Sequence, residues 1–253
     1  MNEEKFTRET VLSVRRWSDN LFSFVLTRPT HFRFTAGQFA RIGIEVEEQQ
    51  IFRAYSMVSS PFAEQLEFFS IVVPDGAFTS RLQHLQPGDQ LLLEKVPYGF
   101  LTLARYQKPL PQDLWLLATG TGLAPFLSML QDFEPWQQYQ QIILAYSVRC
   151  RSELAYEHEI AQLAQDFGEG GARFTFLPII TRETGAALNQ RLPVLIANGQ
   201  LEQAAGLELN LESSHVMLCG NPQMVEDTRN ALKARGLTMN RRGEGNVAVE
   251  NYW

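Results

Sequence analysis

Short apolar runs separated by turn-forming residues fill the first part of the chain. Strands are predicted at residues 10–14, 21–27, 39–44, 66–73 and 90–96, and a short helix fits residues 80–85. Turn signals such as Pro74-Asp75-Gly76 and Pro87-Gly88-Asp89 follow one another about every 10 residues. Short strands joined by frequent turns are typical of an antiparallel β-barrel or sandwich.

Strand-like and helical patterns alternate in the second part of the chain. Strands are predicted at residues 113–119, 141–146, 173–179 and 215–219, and helices at 124–131, 152–167, 188–197 and 223–234. This alternation predicts a doubly wound parallel sheet. The polar residues 105–112 contain two prolines and predict a linker between domains at 1–104 and 113–253. Ligands are expected at the domain interface and at the carboxyl ends of the parallel strands.

The composition is that of a globular protein of 253 residues, 45% apolar and 20% charged. No apolar run approaches the ~18 residues of a membrane-spanning helix. The polar start MNEEKFTRET contains no secretory signal, so we expect a cytoplasmic protein. The net charge of −6 arises entirely after residue 110, and no basic patch indicates a nucleic-acid partner. Two cysteines exclude a disulfide scaffold or a four-thiolate cluster, and four separated histidines predict no metal site.

The clearest candidate chemistry is the segment Thr119-Gly120-Thr121-Gly122-Leu123-Ala124-Pro125 between a predicted strand and helix. Gly120 permits a tight turn, and Gly122 lets a pyrophosphate approach the backbone at a helix N-terminus. Pro125 suits the first helical turn. Because proline replaces the third glycine of a dinucleotide loop, an ordinary strand–helix turn is the alternative interpretation.

The next strand ends in Tyr146-Ser147-Val148-Arg149-Cys150-Arg151, where an NAD site usually carries a carboxylate. A hydroxyl and guanidinium groups instead favour the 2′-phosphate of NADP(H). Arg182 and Arg191 are candidates to complete this anion site. Solvated surface arginines are the alternative.

Three further segments carry chemistry-bearing residues. In Arg53-Ala54-Tyr55-Ser56, the arginine suits a phosphate, the tyrosine suits a flat ring and the serine suits a ring nitrogen. A strand with alternating polar residues explains the same segment without a ligand. Residues 75–80 suit a second phosphate, or a simple N-cap at Thr79 or Ser80. Cys219-Gly220-Asn221-Pro222 follows the fourth strand of the parallel sheet, where the cysteine is equally explained as a core residue. The chain ends in two aromatic residues, which is unusual unless something covers them.

Together these motifs resemble the plant-type ferredoxin–NADP⁺ reductase family in its bacterial branch. The matching segments are Arg53-Ala54-Tyr55-Ser56, residues 76–79, residues 120–125, Cys219-Gly220-Asn221-Pro222 and Glu250-Asn251-Tyr252-Trp253. Their order and spacing match over essentially the whole chain. The resemblance implies an FAD-binding antiparallel barrel followed by an NADP(H)-binding domain, which is the architecture that the pattern predicts independently.

The resemblance also implies roles on the flavin side. Arg53 would bind the flavin pyrophosphate, Tyr55 would stack on the isoalloxazine ring and Ser56 would hydrogen-bond near flavin N5. Tyr252 would cover the other flavin face and Trp253 would stack on adenine. The implied FAD-binding set is Arg53, Ala54, Tyr55, Ser56, Val72, Val73, Gly76, Ala77, Phe78, Thr79, Thr121, Tyr252 and Trp253.

On the nicotinamide side, Cys219 would line the pocket and Glu250 would relay protons or position the ring. The implied catalytic residues are therefore Ser56, Cys219 and Glu250. The implied NADP-binding set is Gly120, Thr121, Gly122, Ser147, Arg149, Arg182, Arg191, Cys219 and Gly220.

The implied activity is hydride transfer between NADPH and FAD with one-electron exchange to ferredoxin or flavodoxin. Because the chain lacks cluster cysteines, the carrier must be separate, with Arg15, Arg16, Arg81 and Lys95 as candidate docking residues. We expect a monomer that needs neither nucleic acid nor a membrane. A reductase component of an oxygenase, a free-flavin reductase and a non-catalytic flavin-binding redox regulator are the alternatives.

Overall fold

A computed structural model describes residues 5–47, 49–74, 76–106, 110–241 and 243–251. The described chain divides into two compact units. The barrel unit contains the described residues up to Thr102 together with Ala124–Met129, and the sheet unit contains Leu103–Leu123 and the described residues from Leu130 onward. Within the barrel unit, Ser128 Oγ donates a hydrogen bond of 2.8 Å to the carbonyl oxygen of Ser59. That bond ties the helical segment 124–129 to the barrel.

The barrel unit is built on six antiparallel strands in the order β4-β3-β6-β1-β2-β5. They are β1 (Phe6–Arg16), β2 (Leu21–Thr27), β3 (Phe39–Val46), β4 (Gln49–Ser56), β5 (Gln65–Ile71) and β6 (Gln90–Glu94), with helix α1 (Thr79–Leu82) between β5 and β6. The sheet curls until its edge strands meet. Just beyond β4, Met57 bridges Phe68, and the Val58 N–H donates to the Glu67 carbonyl at 2.8 Å.

The interior of this curled sheet is rich in aromatic residues. Phe22, Phe24 and Phe68 are fully buried, and Phe24 stacks on Phe68 with ring centroids 5.5 Å apart. The alternation of apolar and polar residues turns these rings inward, because successive side chains of a strand point to opposite faces. Burial of these large rings provides much of the stabilisation of the unit.

The sheet unit contains five parallel strands in the order β11-β10-β7-β8-β9. They are β7 (Asp113–Thr119), β8 (Gln141–Val148), β9 (Arg173–Ile180), β10 (Ser214–Gly220) and β11 (Val247–Asn251). The helices along this part of the chain are α2 (Ala124–Leu130), α3 (Phe133–Gln138), α4 (Glu157–Gly168), α5 (Leu192–Ala197), α6 (Gln200–Ala205) and α7 (Pro222–Ala234). Three 3₁₀ turns add Leu103–Arg105, Gly120–Leu123 and Arg151–Glu153.

The register of the parallel strands brings their carboxyl ends together at one edge. Thr119 of β7 aligns with Ser147 of β8, and Cys219 of β10 aligns with Ala118 of β7 and Glu250 of β11. The central strands β7 and β10 are buried almost throughout, as expected when both faces of a parallel sheet are covered. The sequence segments that follow the strands therefore share one edge of the sheet.

The predicted fold class, an antiparallel β-barrel followed by a parallel α/β sheet, is confirmed. The predicted strands do not include the edge strands β4 and β11, although an alternating strand was one interpretation of residues 53–56, and the short helices α3 and α6 were not predicted. Residues 107–109 of the predicted linker lie outside the described residues. None of the helices in the described ranges is long and apolar enough to span a membrane.

Two predicted helices begin too early. The predicted helix 152–167 starts only at Glu157, because residues 151–153 form a 3₁₀ turn and Tyr156 has a left-handed φ of 64°. The predicted helix 188–197 is confined to Leu192–Ala197, with Pro193 in its first turn, where a missing N–H costs no helical bond.

Candidate functional site

The motif Arg53-Ala54-Tyr55-Ser56 ends the edge strand β4. Arg53 and Ala54 are exposed, and Arg53 Nη1 donates to the Phe52 carbonyl at 2.8 Å. The Tyr55 hydroxyl lies 3.1 Å from Ser70 Oγ, and burial raises the pKa of Tyr55 to about 12. Its ring contacts Phe24, Phe68 and Phe78. The motif therefore presents an exposed cation beside a neutral aromatic ring.

Ser56 is the residue of this motif that the protein leaves unsatisfied. The residue is 2% exposed, and its Oγ has no hydrogen-bond partner among the described residues. A buried hydroxyl without a partner costs about 1–3 kcal/mol. This orphaned group fits a ligand that offers a hydrogen-bonding ring atom.

The turn after β5 supplies backbone donors that have no partner in the part of the chain that the structure describes. The N–H groups of Ala77, Phe78 and Thr79 donate to no described residue, while the Phe78 side chain is buried in the core and anchors the turn. A Cβ at Gly76 would lie 3.1 Å from the Val73 carbonyl oxygen and 3.0 Å from Thr79 Oγ1. Successive free N–H groups form a concavity suited to an anion.

The alternative of an N-cap at Thr79 or Ser80 is wrong. The N-cap position of α1 is Phe78, without a side-chain cap, and Thr79 Oγ1 instead accepts from the Val73 N–H at 3.0 Å. The hydroxyl thus holds the turn closed on itself. Val72 is tied nearby, since its N–H donates to the Asn20 carbonyl at 2.8 Å.

In the sheet unit, the two glycines of the segment 119–125 have different roles. Gly120 has φ +52° and open space beside it, so it provides the left-handed turn that the sequence predicts. At Gly122 a Cβ would lie 2.3 Å from the Cys219 carbonyl oxygen and 2.6 Å from Gly220 Cα. Gly122 is therefore required by packing against the end of β10. Pyrophosphate approach, the reason inferred from sequence, does not by itself explain it. Thr121 lies half-buried between the two glycines.

The end of β10 is locked to the end of β7. Gly220, at φ +136°, lies against Thr119, whose Oγ1 accepts from the Asn221 N–H at 3.0 Å. Asn221 then caps α7 through the N–H groups of Gln223 and Met224. Cys219 is buried and aligned with Glu250 on β11, so these two predicted residues are brought together beside Gly122.

The predicted phosphate-binding arginines lie after β8 and β9. The Arg182 N–H donates to the Arg149 carbonyl at 2.8 Å, and the Thr181 N–H donates to the Val148 carbonyl at 3.0 Å. The two loops therefore extend the pairing of the strands and place Arg149 beside Arg182, next to the buried Ser147. Arg191 is exposed at the start of α5, and nothing in the described contacts joins it to the other two arginines.

Comparison with known proteins decides which family this is. Residues 9–102 match the oxidoreductase FAD-binding domain, and residues 116–230 match the oxidoreductase NAD-binding domain. A ferredoxin–NADP reductase of Pseudomonas aeruginosa is 43% identical over 251 residues, covering 96% of this chain and 95% of that protein. The flavodoxin/ferredoxin–NADP reductase of Escherichia coli is 41% identical over 246 residues, covering 96% and 97%.

A solved structure extends this likeness to three dimensions. It is a ferredoxin NADP⁺ reductase from Neisseria gonorrhoeae with bound FAD and NADP, which matches with a TM-score of 0.92 and 38% identity over 99% of this chain and 100% of that one. The chain belongs to the ferredoxin–NADP reductase family. The ferredoxin–NADP reductases are oxidoreductases, so the resemblance read from the motifs is confirmed.

Three residues of this reductase were missed by sequence reasoning. Thr119 and Asn221 join the two loops at the carboxyl edge, and Glu153 pairs with Arg149. Asn221 before Pro222 carries an N-cap signal that sequence can show. The other two contacts depend on tertiary structure. The predicted residues Tyr252 and Trp253 lie outside the described residues.

Proposed function

We propose that this chain is an FAD-dependent ferredoxin/flavodoxin–NADP⁺ oxidoreductase. It transfers hydride between NADPH and FAD and exchanges single electrons with ferredoxin or flavodoxin. The observation that carries the proposal is the match of 99% of the chain to a reductase that holds both FAD and NADP. When bound, FAD supplies the chemistry that converts a two-electron donor into one-electron steps.

The barrel unit supplies the groups that we assign to FAD. Arg53 is exposed and able to pair with a phosphate, and the N–H groups of residues 77–79, which donate to no described residue, suit a second phosphate. The Tyr55 ring is neutral and held by its hydroxyl bond to Ser70, which suits stacking on a flat ring. Ser56 Oγ is a buried hydroxyl without a partner among the described residues, and we assign it to the flavin N5 region. Ala54, Val72 and Val73 complete the barrel's part of the proposed FAD set, and Thr121 of the sheet unit is assigned to FAD as well.

The sheet unit supplies the groups that we assign to NADP(H). Arg149 and Arg182 are adjacent cations, and no described carboxylate pairs with the Arg182 side chain. Together with Ser147 and Arg191 they suit the 2′-phosphate, because a guanidinium binds phosphate through two parallel hydrogen bonds. Gly120, Thr121, Gly122 and Gly220 shape the loops against which the dinucleotide would lie.

At the nicotinamide end we assign Cys219 and Glu250. Their alignment on neighbouring strands places both residues at the carboxyl edge, beside the glycine turn. Cys219 is suited to shaping the pocket, and Glu250 is suited to holding or moving a proton. Tyr252 and Trp253 remain proposed covers of the flavin and the adenine.

The proposal is tested on the purified protein under anaerobic conditions. We expect a flavin absorption spectrum that bleaches on addition of NADPH, and much slower bleaching with NADH. Reduced ferredoxin or flavodoxin should then accumulate faster than reduced free FMN. Preference for free FMN would identify a flavin reductase, and a failure to oxidise NADPH with any acceptor would identify a redox regulator. The monomeric state and cytoplasmic location stay predictions, and size-exclusion chromatography tests the first.

A further inference from the structure

The Arg149 guanidinium has an unusually well-placed partner in Glu153. Arg149 Nε donates to Glu153 Oε1 at 2.9 Å and to Oε2 at 3.2 Å, and Nη2 also donates to Oε1. The Glu153 side chain is 16% exposed, whereas the Arg149 side chain is 46% exposed. Partial burial raises the pKa of Glu153, but hydrogen bonds from Arg149 more than offset that effect and hold the pKa below its usual value. The pair is therefore ionised on both sides.

The pairing with Glu153 leaves the Nη1 side of the guanidinium available for a ligand. Glu153 occupies the side formed by Nε and Nη2, while Nη1 donates to no described residue. A guanidinium carries five N–H donors in a rigid plane. The end formed by Nη1 and the second proton of Nη2 thus stays available for a bidentate bond to a phosphate.

The backbone of Arg149 is held as well. Its N–H donates to Glu153 Oε2 at 3.0 Å, and its carbonyl accepts from the Arg182 N–H at 2.8 Å. Two residues further along the loop, Glu183 Oε1 accepts a hydrogen bond of 2.9 Å from the Arg151 N–H. One carboxylate therefore restrains both ends of Arg149, its main chain and its guanidinium, beside Arg182.

We propose that Glu153 is a positioning residue for the 2′-phosphate of NADP(H), acting through Arg149. This inference rests on the proposed function. A carboxylate near a phosphate also repels it, but Glu153 is neutralised by its pair and lies on the side of the guanidinium away from Nη1. A side chain held in its binding conformation loses less freedom when the ligand arrives. We therefore expect the phosphate affinity gained by orienting Arg149 to exceed the affinity lost by repulsion between Glu153 and the phosphate.

The test uses the FAD-loaded protein and two nucleotides that differ only in the 2′-phosphate, adenosine 2′,5′-bisphosphate and 5′-AMP. Isothermal titration calorimetry gives their dissociation constants. We expect Glu153→Ala to weaken binding of the bisphosphate about tenfold, the range of one charge-assisted hydrogen bond. Binding of 5′-AMP should change by less than about twofold. Glu153→Gln, which keeps one acceptor oxygen, should fall between the wild type and Glu153→Ala.

Glu157→Ala is the matched control. It removes a carboxylate that pairs with the neighbouring Arg151 at 3.3 Å in the same segment, and it should leave both constants unchanged. A double-mutant cycle then separates positioning from general loss of structure. In an Arg149→Ala background, Glu153→Ala should have no further effect on the bisphosphate. The flavin spectrum and melting temperature of each variant report whether it is folded.

The outcomes separate this inference from the function on which it rests. If Arg149→Ala weakens the bisphosphate but Glu153→Ala and Glu153→Gln leave it unchanged or tighten it, the positioning role is wrong and the NADP site stands. An undiminished Glu153→Ala effect without Arg149 also overturns it. If Arg149→Ala has no effect, the assignment of the phosphate site itself fails, whatever the NADPH assay shows.

Discussion

In the barrel unit the candidate binding groups are side chains of one strand and backbone N–H groups of one turn, whereas at the edge of the parallel sheet the tightest packing is around two glycines at the strand ends. Tyr55 and Ser56 are placed by the register of β4 against β3 and by burial. Gly122 instead lies against the main chain of Cys219, and Gly220 lies against Oγ1 and the main chain of Thr119. Substitutions should therefore act differently in the two units.

A side chain that projects from a strand can be removed without moving the strand. A main-chain contact cannot be relieved by rotating a side chain, so extra atoms there must displace a whole strand end. We expect candidate residues of the barrel to affect chemistry more than folding. Substitution of the glycines at the sheet edge should lower the stability of the fold, and nucleotide binding should weaken as a consequence.

The two units also differ in what they bury. Of the four histidines, all of which are described, His215 alone is buried, at the start of β10. Its ring stacks on Tyr106 with centroids 3.6 Å apart, and Nδ1 lies 3.2 Å from the Tyr139 hydroxyl. The sheet unit therefore carries a titratable imidazole whose neutral form is favoured by burial, which lowers its pKa.

Gly122→Ala is expected to have the largest effect. The new Cβ would lie 2.3 Å from a carbonyl oxygen of β10. Because overpacking ordinarily costs about 1–3 kcal/mol and this neighbour is main chain, we expect a loss of about 4 kcal/mol in unfolding free energy. Urea denaturation measures it, and NADP⁺ affinity should fall with it.

Gly43→Ala in the barrel is the matched control for that loss. Its Cβ would lie 2.6 Å from Phe52, also closer than a Cβ can normally approach, but the neighbour is a side-chain ring that can turn aside. We expect a loss below about 1 kcal/mol. Gly120→Ala should be intermediate, at about 1–2 kcal/mol, because it meets no atom but forces a left-handed backbone on alanine. Equal losses for Gly43→Ala and Gly122→Ala would contradict the distinction between the units.

Acid should destabilise the sheet unit through His215. Burial lowers the pKa of His215 from its ordinary 6.5 to about 4. The unfolded chain thus takes up the proton first, so the stability contributed by neutral His215 is complete above about pH 6.5 and is lost as the pH falls toward 4. At pH 4.5 the loss should reach about 2–3 kcal/mol.

His215→Phe isolates this effect, since it keeps an aromatic ring beside Tyr106 but cannot titrate. Its unfolding free energy at pH 7 should fall by about 1 kcal/mol through loss of the bond to Tyr139. Between pH 7 and pH 4.5, however, it should lose less stability than the wild type by about 2–3 kcal/mol. Parallel pH profiles for the two proteins would show that His215 does not govern the acid response.

The parts of the fold that sequence predicts are those whose signal is local. Turn residues and apolar runs mark the inner strands of both sheets and the edge strands β5 and β9, and the change to βα alternation marks the second architecture. The missed strands β4 and β11 are edge strands. An edge strand is paired on one side and partly exposed, so it can carry polar residues. In β4, Gln49 and Gln50 interrupt the apolar pattern by which a strand is recognised.

The site divides in the same way. Motif residues such as Ser56, Gly120 and Arg149 are recognisable because their types and spacing are local. The bond from Asn221 to Thr119 joins residues 102 positions apart, and no local pattern predicts it. Likewise, the sequence shows that residue 122 is a glycine, but it does not show why a glycine is needed there. The reason is the short distance to Cys219, which arises only when β7 and β10 are paired.

Ser56→Ala should have the smallest effect on stability. Because Ser56 Oγ is buried without a partner, its removal should leave the unfolding free energy of the FAD-free protein unchanged or raise it by up to about 1 kcal/mol. The rate of flavin reduction by NADPH should nevertheless fall at least about tenfold, in the range of a lost positioned proton donor. Stopped-flow absorbance and urea denaturation measure the two quantities.

Ser70→Ala is the matched control, a buried serine in the same unit whose hydroxyl does have a partner, Tyr55 at 3.1 Å. It should cost about 1 kcal/mol, because it leaves the Tyr55 hydroxyl without that bond. A larger loss for Ser56→Ala than for Ser70→Ala would mean that the protein, not a ligand, satisfies Ser56. The barrel site would then be structural, like the glycine edge of the sheet, and the contrast between the two units would disappear.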